Sequence, residues 1–243
     1  FVAFYKQTIL GPIWFFIKPI VSAAVYFFIF NQVAGLSTGG VPPVMFYITG
    51  LTAWGYYSET VGACSGVLLK NADIFGKVYF PRLIMPISIV FSNMLKLGVQ
   101  LLLIVLIFAY YLIATDELTL TVSILYVPLA ILFIALQAVG LGLFVAALAI
   151  KYRDVMMLMG YALQLGLFVT PVVFPLSEIS GKFKLLVSLN PMTFPIELFR
   201  HAFFGTGSFS TMSILYMVMS TVIILIIGIY AFNRNEKTFV DII

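Results

Sequence analysis

Residues 122–150 contain no charged side chain, and residues 84–113 contain one, Lys96. A helix needs roughly 20 mostly apolar residues to cross the hydrocarbon core of a bilayer. Both runs exceed that length, and other long apolar runs precede and follow them. The chain has too few charges to hide such runs in a water-soluble fold: 9% of its residues are charged, against about 25% in a soluble domain. Lipid is therefore the solvent for most of the surface. Strands of a membrane β-barrel would alternate polar and apolar residues in segments of about 10, and these runs are continuous instead. The sequence predicts an all-α polytopic membrane protein, with a mean hydropathy of +1.14.

Six transmembrane helices are predicted, at about 12–34, 44–68, 84–113, 122–150, 155–174 and 212–232, in one membrane domain covering residues 1–243. The chain starts at Phe1 rather than Met, so an upstream segment is expected. The first apolar run is of full span length with no small-residue cleavage site, so no removable signal peptide is expected within these residues. One cysteine, Cys64, excludes an internal disulfide. Orientation follows from the basic residues, which gather on the cytosolic side of membrane proteins. Placing the N-terminus in the cytosol puts Lys6, Lys70, Lys77, Arg82, Lys151, Arg153, Arg234 and Lys237 there, and leaves outside only Lys182, Lys184 and Arg200. Both termini are thus expected to be cytosolic. The net charge of +4 reports this topology and gives no reason to invoke nucleic acid.

KNADIFGKVYFPRL, residues 70–83, falls between two spans and mixes Lys70, Asp73, Lys77 and Arg82 with aromatic residues. Asn71 suits a helix N-cap, and Asp73 in the first turn complements the helix dipole. Ile74, Phe75, Val78 and Tyr79 then share one face of a short helix. Such a helix can lie among lipid headgroups or dock its apolar face in the groove of a soluble partner. The next cytosolic loop, KYRD, offers Lys151, Tyr152, Arg153 and Asp154 as a second, smaller contact with that partner.

YKQTILGPIW (5–14), NADIFGKVYFPRLIMP (71–86), IKYRDV (150–155), TPVVFPLS (170–177) and LNPM (189–192) together resemble, in order and spacing, the motifs of polysaccharide-exporting ABC-transporter permeases. These are the membrane subunits that move O-antigen, capsule or teichoic acid polymers. The resemblance covers nearly the whole chain. It implies six spans, an N-terminal interfacial segment ending at residues 1–11, and short re-entrant helices outside before the last span. It further implies a homodimer working with two copies of a soluble ATPase, which would bind ATP and Mg, in the inner or plasma membrane. Residues 71–79 would be the coupling helix, and Lys151 to Asp154 a second contact with the ATPase. The substrate would be a lipid-linked glycan of O-antigen type, with teichoic acid, capsule, drug or lipid as alternatives. Lys18 and Glu59 depart from the uncharged polar residues expected at these places in many relatives.

Several chemistries are absent. No G-x-x-x-x-G-K-[ST] phosphate loop occurs, and Gly181-Lys182 is followed by Phe183. His201 is the single histidine, so no metal site, cofactor or catalytic set is expected on this chain. Asp116 and Glu117 are adjacent and project in different directions.

Inside the membrane, Glu59 and Lys96 fall at about 16 Å and about 18 Å depth at 1.5 Å per residue, which makes them a candidate pair. Such a pair either sets helix packing or lines a wet path. Lys18 is close enough to its end of the span to snorkel to the surface. Buried charges also suggest a proton-coupled carrier, but Glu59 is the sole acid within any predicted span. Aromatic residues recur at helical spacing. Phe16, Phe27 and Phe30 share a face with Ile20 and Ala23 in the first span, and Tyr161, Gln164 and Phe168 share one in the fifth. They either pack or face lipid, or they offer sugar rings a wall with few fixed hydrogen bonds. The insert at 175–211 reads as two short helices broken by Asn190-Pro191 and Pro195, with Glu197 and Arg200 spaced to pair. Gly62 and Gly66 form a G-x-x-x-G, a helix-packing device.

Overall fold

A computed structural model describes residues 13–71, 81–115, 118–119, 121–152, 154–206 and 210–242, with side chains as far as Arg234. Every regular element among them is helical. The first helix, α1, runs Trp14–Tyr26 and continues as a π-helical stretch over Phe27–Val33. Gly39 and Gly40, at φ +66° and +82°, then turn the chain in a region that side chains with a Cβ avoid. Pro43 opens α2, Pro43–Ser65, at the one helical position where a missing N–H costs nothing. A single turn, α3 (Val67–Lys70), follows. The long α4 covers Ile84–Ala114, and α5 covers Val127–Ala149 after a 3-10 turn at Val122–Tyr126. Next come α6 (Asp154–Gly166), α7 (Gly181–Leu189), α8 (Thr193–Phe204) and α9 (Thr211–Ile242).

Among the described residues, four stretches are long and apolar enough to cross a membrane: Trp14–Val33, Ile84–Ala114, Val122–Ala149 and Thr211–Arg234. The predicted second span, α2, has 23 residues, about 34 Å of helix, but carries Glu59, Thr49, Thr52 and Thr60. Its polarity has a structural cause. Most of α2 is buried against other helices, so its neighbours are protein rather than lipid. The apolar window of Val122–Ala149 is 61% buried, against 17–22% for the other three candidates. The bundle is thus built on α2 and α5, with α1, α4 and α9 around them.

Several polar groups in these helices bond locally or across helix pairs, while the Tyr47 and Tyr56 hydroxyls and Thr52 Oγ1 of α2 are buried without a hydrogen-bond partner among the described residues. Thr49 and Ser65 donate to the carbonyls of Met45 and Val61, each at 2.7 Å, the usual back-bonding of hydroxyls in helices. Asn93 of α4 donates to Thr60 Oγ1 of α2 at 3.2 Å. Gln137 of α5 donates to Thr221 Oγ1 of α9 at 2.9 Å and to the Pro191 carbonyl at 3.1 Å.

Three expectations change. The fifth predicted span reaches residue 174, whereas helix ends at Val169, because Pro171 pushes Thr170 into extended backbone (φ −118°, ψ 155°). Pro195 does not break the insert's second helix. It sits in the first turn of α8, where proline is tolerated. Past the predicted last span, α9 continues to Ile242. Gly62 faces open space and Gly66 meets side chains of Lys70 and Met156, so the G-x-x-x-G packs no helix pair here. That role falls to Gly140 and Gly228, where α5 and α9 approach so closely that a Cβ on Gly228 would lie 2.0 Å from the Gly140 carbonyl oxygen.

Candidate functional site

The intramembrane charges converge. Lys96 Nζ of α4 lies 3.6 Å from Glu59 Oε2 of α2, and Lys18 Nζ of α1 lies 3.6 Å from Glu59 Oε1. Lys18 thus has a carboxylate partner on α2. The three side chains remain 75%, 44% and 36% exposed for Lys18, Glu59 and Lys96. Lys18 and Glu59 border a cavity of about 230 Å³ lined also by Ser22, Tyr26, Thr52 and Gln100, and Lys96 lines with Glu59 and Gln100 a smaller pocket that shares those two residues. The lining of the larger cavity sets a lysine, a glutamate, hydroxyls and an amide beside the apolar Leu51, Trp54 and Leu167. Lys18, Ser22 and Tyr26 stand four residues apart on α1, a spacing that could have marked this face in the sequence.

Above the cavity the two aromatic stripes meet. Phe30 and Phe168 bring their rings to 6.4 Å between centroids, joining the π-helical continuation of α1 to the 3-10 turn Leu167–Val169 that follows α6. Tyr26 continues the series, 5.5 Å from Phe30 and 6.4 Å from Tyr47. Phe16, Phe27 and Phe30 pack half-buried against the core. Ile20 is exposed and Ala23 buried, so the stripe expected on α1 does not keep one environment along its length. Tyr161 and Gln164 on α6 and Phe168 beyond it are all exposed.

Sequence reasoning paired Glu197 with Arg200 but missed how deep they lie. Arg200 is 4% exposed, and its guanidinium stacks over the Phe46 ring at 3.6 Å. Nη1 donates to the Pro171 carbonyl, and Nη2 donates to Val172 O at 2.8 Å and Phe46 O at 3.4 Å. Glu197 Oε1 lies 3.7 Å from Nη1. Burial raises the affinity of Glu197 for its proton and lowers that of Arg200 to about 10, while their mutual attraction opposes both shifts. One side chain thus fastens α8 to α2 and to the loop after Val169, beside a second cavity of about 230 Å³ that Thr38, Ser177 and Thr206 also line.

Ala72 to Phe80 lie outside the described residues, and with them Asp73, Ile74, Phe75, Lys77, Val78 and Tyr79; so does Arg153. The flanks are visible. Asn71 Nδ2 donates to Val67 O at 2.8 Å, closing α3. A Cβ on Gly66 would touch both Lys70 and Met156 at 3.1 Å, so the base of this segment lies against the start of α6. Lys151 sits 5.3 Å from the Tyr152 ring centroid, and Lys151, Tyr152 and Asp154 are all exposed. Among the described residues no cluster of His, Cys, Asp and Glu is suited to a metal.

Comparison with known proteins places these features in one group. An O-antigen export system permease protein RfbA of Klebsiella pneumoniae is 26% identical over 246 residues, covering 98% of this chain and 90% of that protein. The protein of the same name from Myxococcus xanthus is 30% identical over 191 residues, 77% of this chain and 70% of its own length. The capsule polysaccharide export inner-membrane protein CtrC of Neisseria meningitidis is 22% identical over 240 residues, 96% and 86% of the two chains. Residues 1–204 match the ABC-2 type transporter family, a stretch that takes in the helices from α1 to α8, and the chain belongs to that family.

Proposed function

We propose that this protein is the membrane permease of an ATP-driven exporter that carries a lipid-linked polysaccharide, of O-antigen type, across the inner or plasma membrane. Six spans cross the bilayer, with both termini in the cytosol and α7 and α8 folded into the outer leaflet as a lid. Two copies enclose the path. Residues 71–79 and 151–154 dock on soluble ATPase subunits, which bind ATP and Mg and supply the energy. The observation that carries this reading is the length of the match to permeases named for O-antigen export, 98% of this chain in one case. The meeting of Phe30 with Phe168 beside a polar cavity supports it. Aromatic faces offer a sliding sugar chain contact area with few hydrogen bonds to break. A proton relay is poorly supported, since Glu59 has lysines rather than acids as its charged neighbours.

The test is to delete the gene and locate the glycan. Long lipid-linked polymer held on the cytosolic side with none at the surface is the expected result. Normal surface glycan in the deletion strain would reject polysaccharide export and redirect attention to drug or lipid efflux.

A further inference from the structure

We infer that Lys18 and Lys96 form an anion-binding station part-way across the membrane, with Glu59 as their built-in competitor, and that it takes a phosphate or carboxylate group of the exported molecule. The inference rests on the export reading above and adds to it the charge of the substrate. Two ammonium groups share one carboxylate, each at 3.6 Å, which leaves one positive charge unbalanced. Among the described residues no other acid pairs with either lysine. An unbalanced charge within a membrane protein is costly and marks a function or a ligand. Here the site is open rather than sealed, because Lys18 is 75% exposed and a cavity of about 230 Å³ adjoins it. Ser22, Thr52 and Gln100 line the same cavity and can donate to anion oxygens once these approach.

Glu59 gives the station its transport character. A bare pair of lysines would hold an anion tightly and block the path. A carboxylate already placed between them takes over both ammonium groups as the anion departs, so binding stays weak enough for release. Three helices each bring one charge, Lys18 from α1, Glu59 from α2 and Lys96 from α4. Relative movement of these helices would change how far Glu59 shields the lysines, coupling affinity to conformation.

Two sources can supply the anion: the phosphate that links a glycan to its lipid, or the carboxylate of an acidic sugar. Purified permease in nanodiscs separates them. Farnesyl diphosphate probes the first and trigalacturonate the second, with farnesol and maltotriose as neutral controls. One anionic probe is expected to bind in preference to its neutral control. Lys18→Met and Lys96→Met should each weaken it about tenfold, the scale of one lost charge-assisted hydrogen bond. Lys96→Arg should retain binding, which separates charge from folding. Glu59→Gln, by freeing both ammonium groups, should tighten it severalfold. Equal affinity for an anion and its neutral control, or unchanged affinity in Glu59→Gln, would overturn the station even if a methionine variant failed to fold. Loss of surface glycan on gene deletion alongside unchanged binding rejects the station alone. Charge-dependent binding in a permease whose deletion leaves surface glycan intact rejects the polysaccharide and keeps the station.

Discussion

Arg200 spends its charge on carbonyl groups. Pro171, Val172 and Phe46 accept from it, and Glu197 supplies the counter-charge at 3.7 Å. Gly50 makes this possible, since a Cβ there would sit 2.5 Å from Nη2. Removing one member of a buried ion pair strands the other, at a cost of roughly 3–5 kcal/mol. Arg200→Met should therefore lower the unfolding temperature in detergent sharply, and Glu197→Gln in the same chain should restore part of the loss. Gly50→Ala should weaken the fold less, by about 1–3 kcal/mol, because the guanidinium can shift although the Val172 carbonyl at 3.3 Å cannot. If Arg200→Met melts with the parent chain, Arg200 does not hold α8 to α2.

At the scale of helices, lipid makes the sequence easy to read and protein contact makes it hard. Residues 84–113 are legible because lipid-facing positions must be apolar, and 122–150 because the buried face of that helix is apolar as well; the observed helices at Ile84–Ala114 and Val127–Ala149 fall where the hydropathy places them. α2 is readable by its length, but its polar residues make sense only once its neighbours are known. Glu59 and Lys96 are legible as a pair because each has a depth, while Lys18 enters through a third helix whose placement no spacing encodes. Arg200 escapes notice because its partners Pro171 and Val172 lie 29 and 28 residues away, in a loop that has no periodic pattern.

Glycines show the same divide, and they can be tested. Gly62 and Gly66 carry the motif, yet Gly140 and Gly228 carry the contact. Gly228→Ala places a methyl group against backbone atoms of α5, the nearest at 2.0 Å, so the helices must separate. The expected loss is at least the roughly 1–3 kcal/mol of an overpacked core. Gly62→Ala meets open space and should change stability by no more than about 1 kcal/mol, in the favourable direction expected of Gly→Ala within a helix. Equal melting of the two variants would show that the α5–α9 crossing is not the tight contact.

For the whole molecule the question is how a push at one end reaches the path. The proposed docking segment begins where α3 ends, and α3 is anchored. Val67 and Leu68 are buried with Leu143 and Ala146 of α5 and Phe232 of α9, with Met85 and Ile89 of α4 packed around them. A rigid, close-packed cluster transmits displacement rather than absorbing it. A force on residues 71–79 would thus move α4, α5 and α9 together, and α4 carries Lys96 into the charge cluster around Glu59. Phe75→Asp or Tyr79→Asp puts a charge on the proposed docking face and leaves that cluster untouched. The variant should insert normally, lose the co-purifying ATPase and stop exporting. Its anion affinity in nanodiscs should be unchanged, because the lysines stay in place. ATPase recovered at full yield with the charged variant would remove residues 71–79 from the interface and shift the contact to the exposed Lys151, Tyr152 and Asp154.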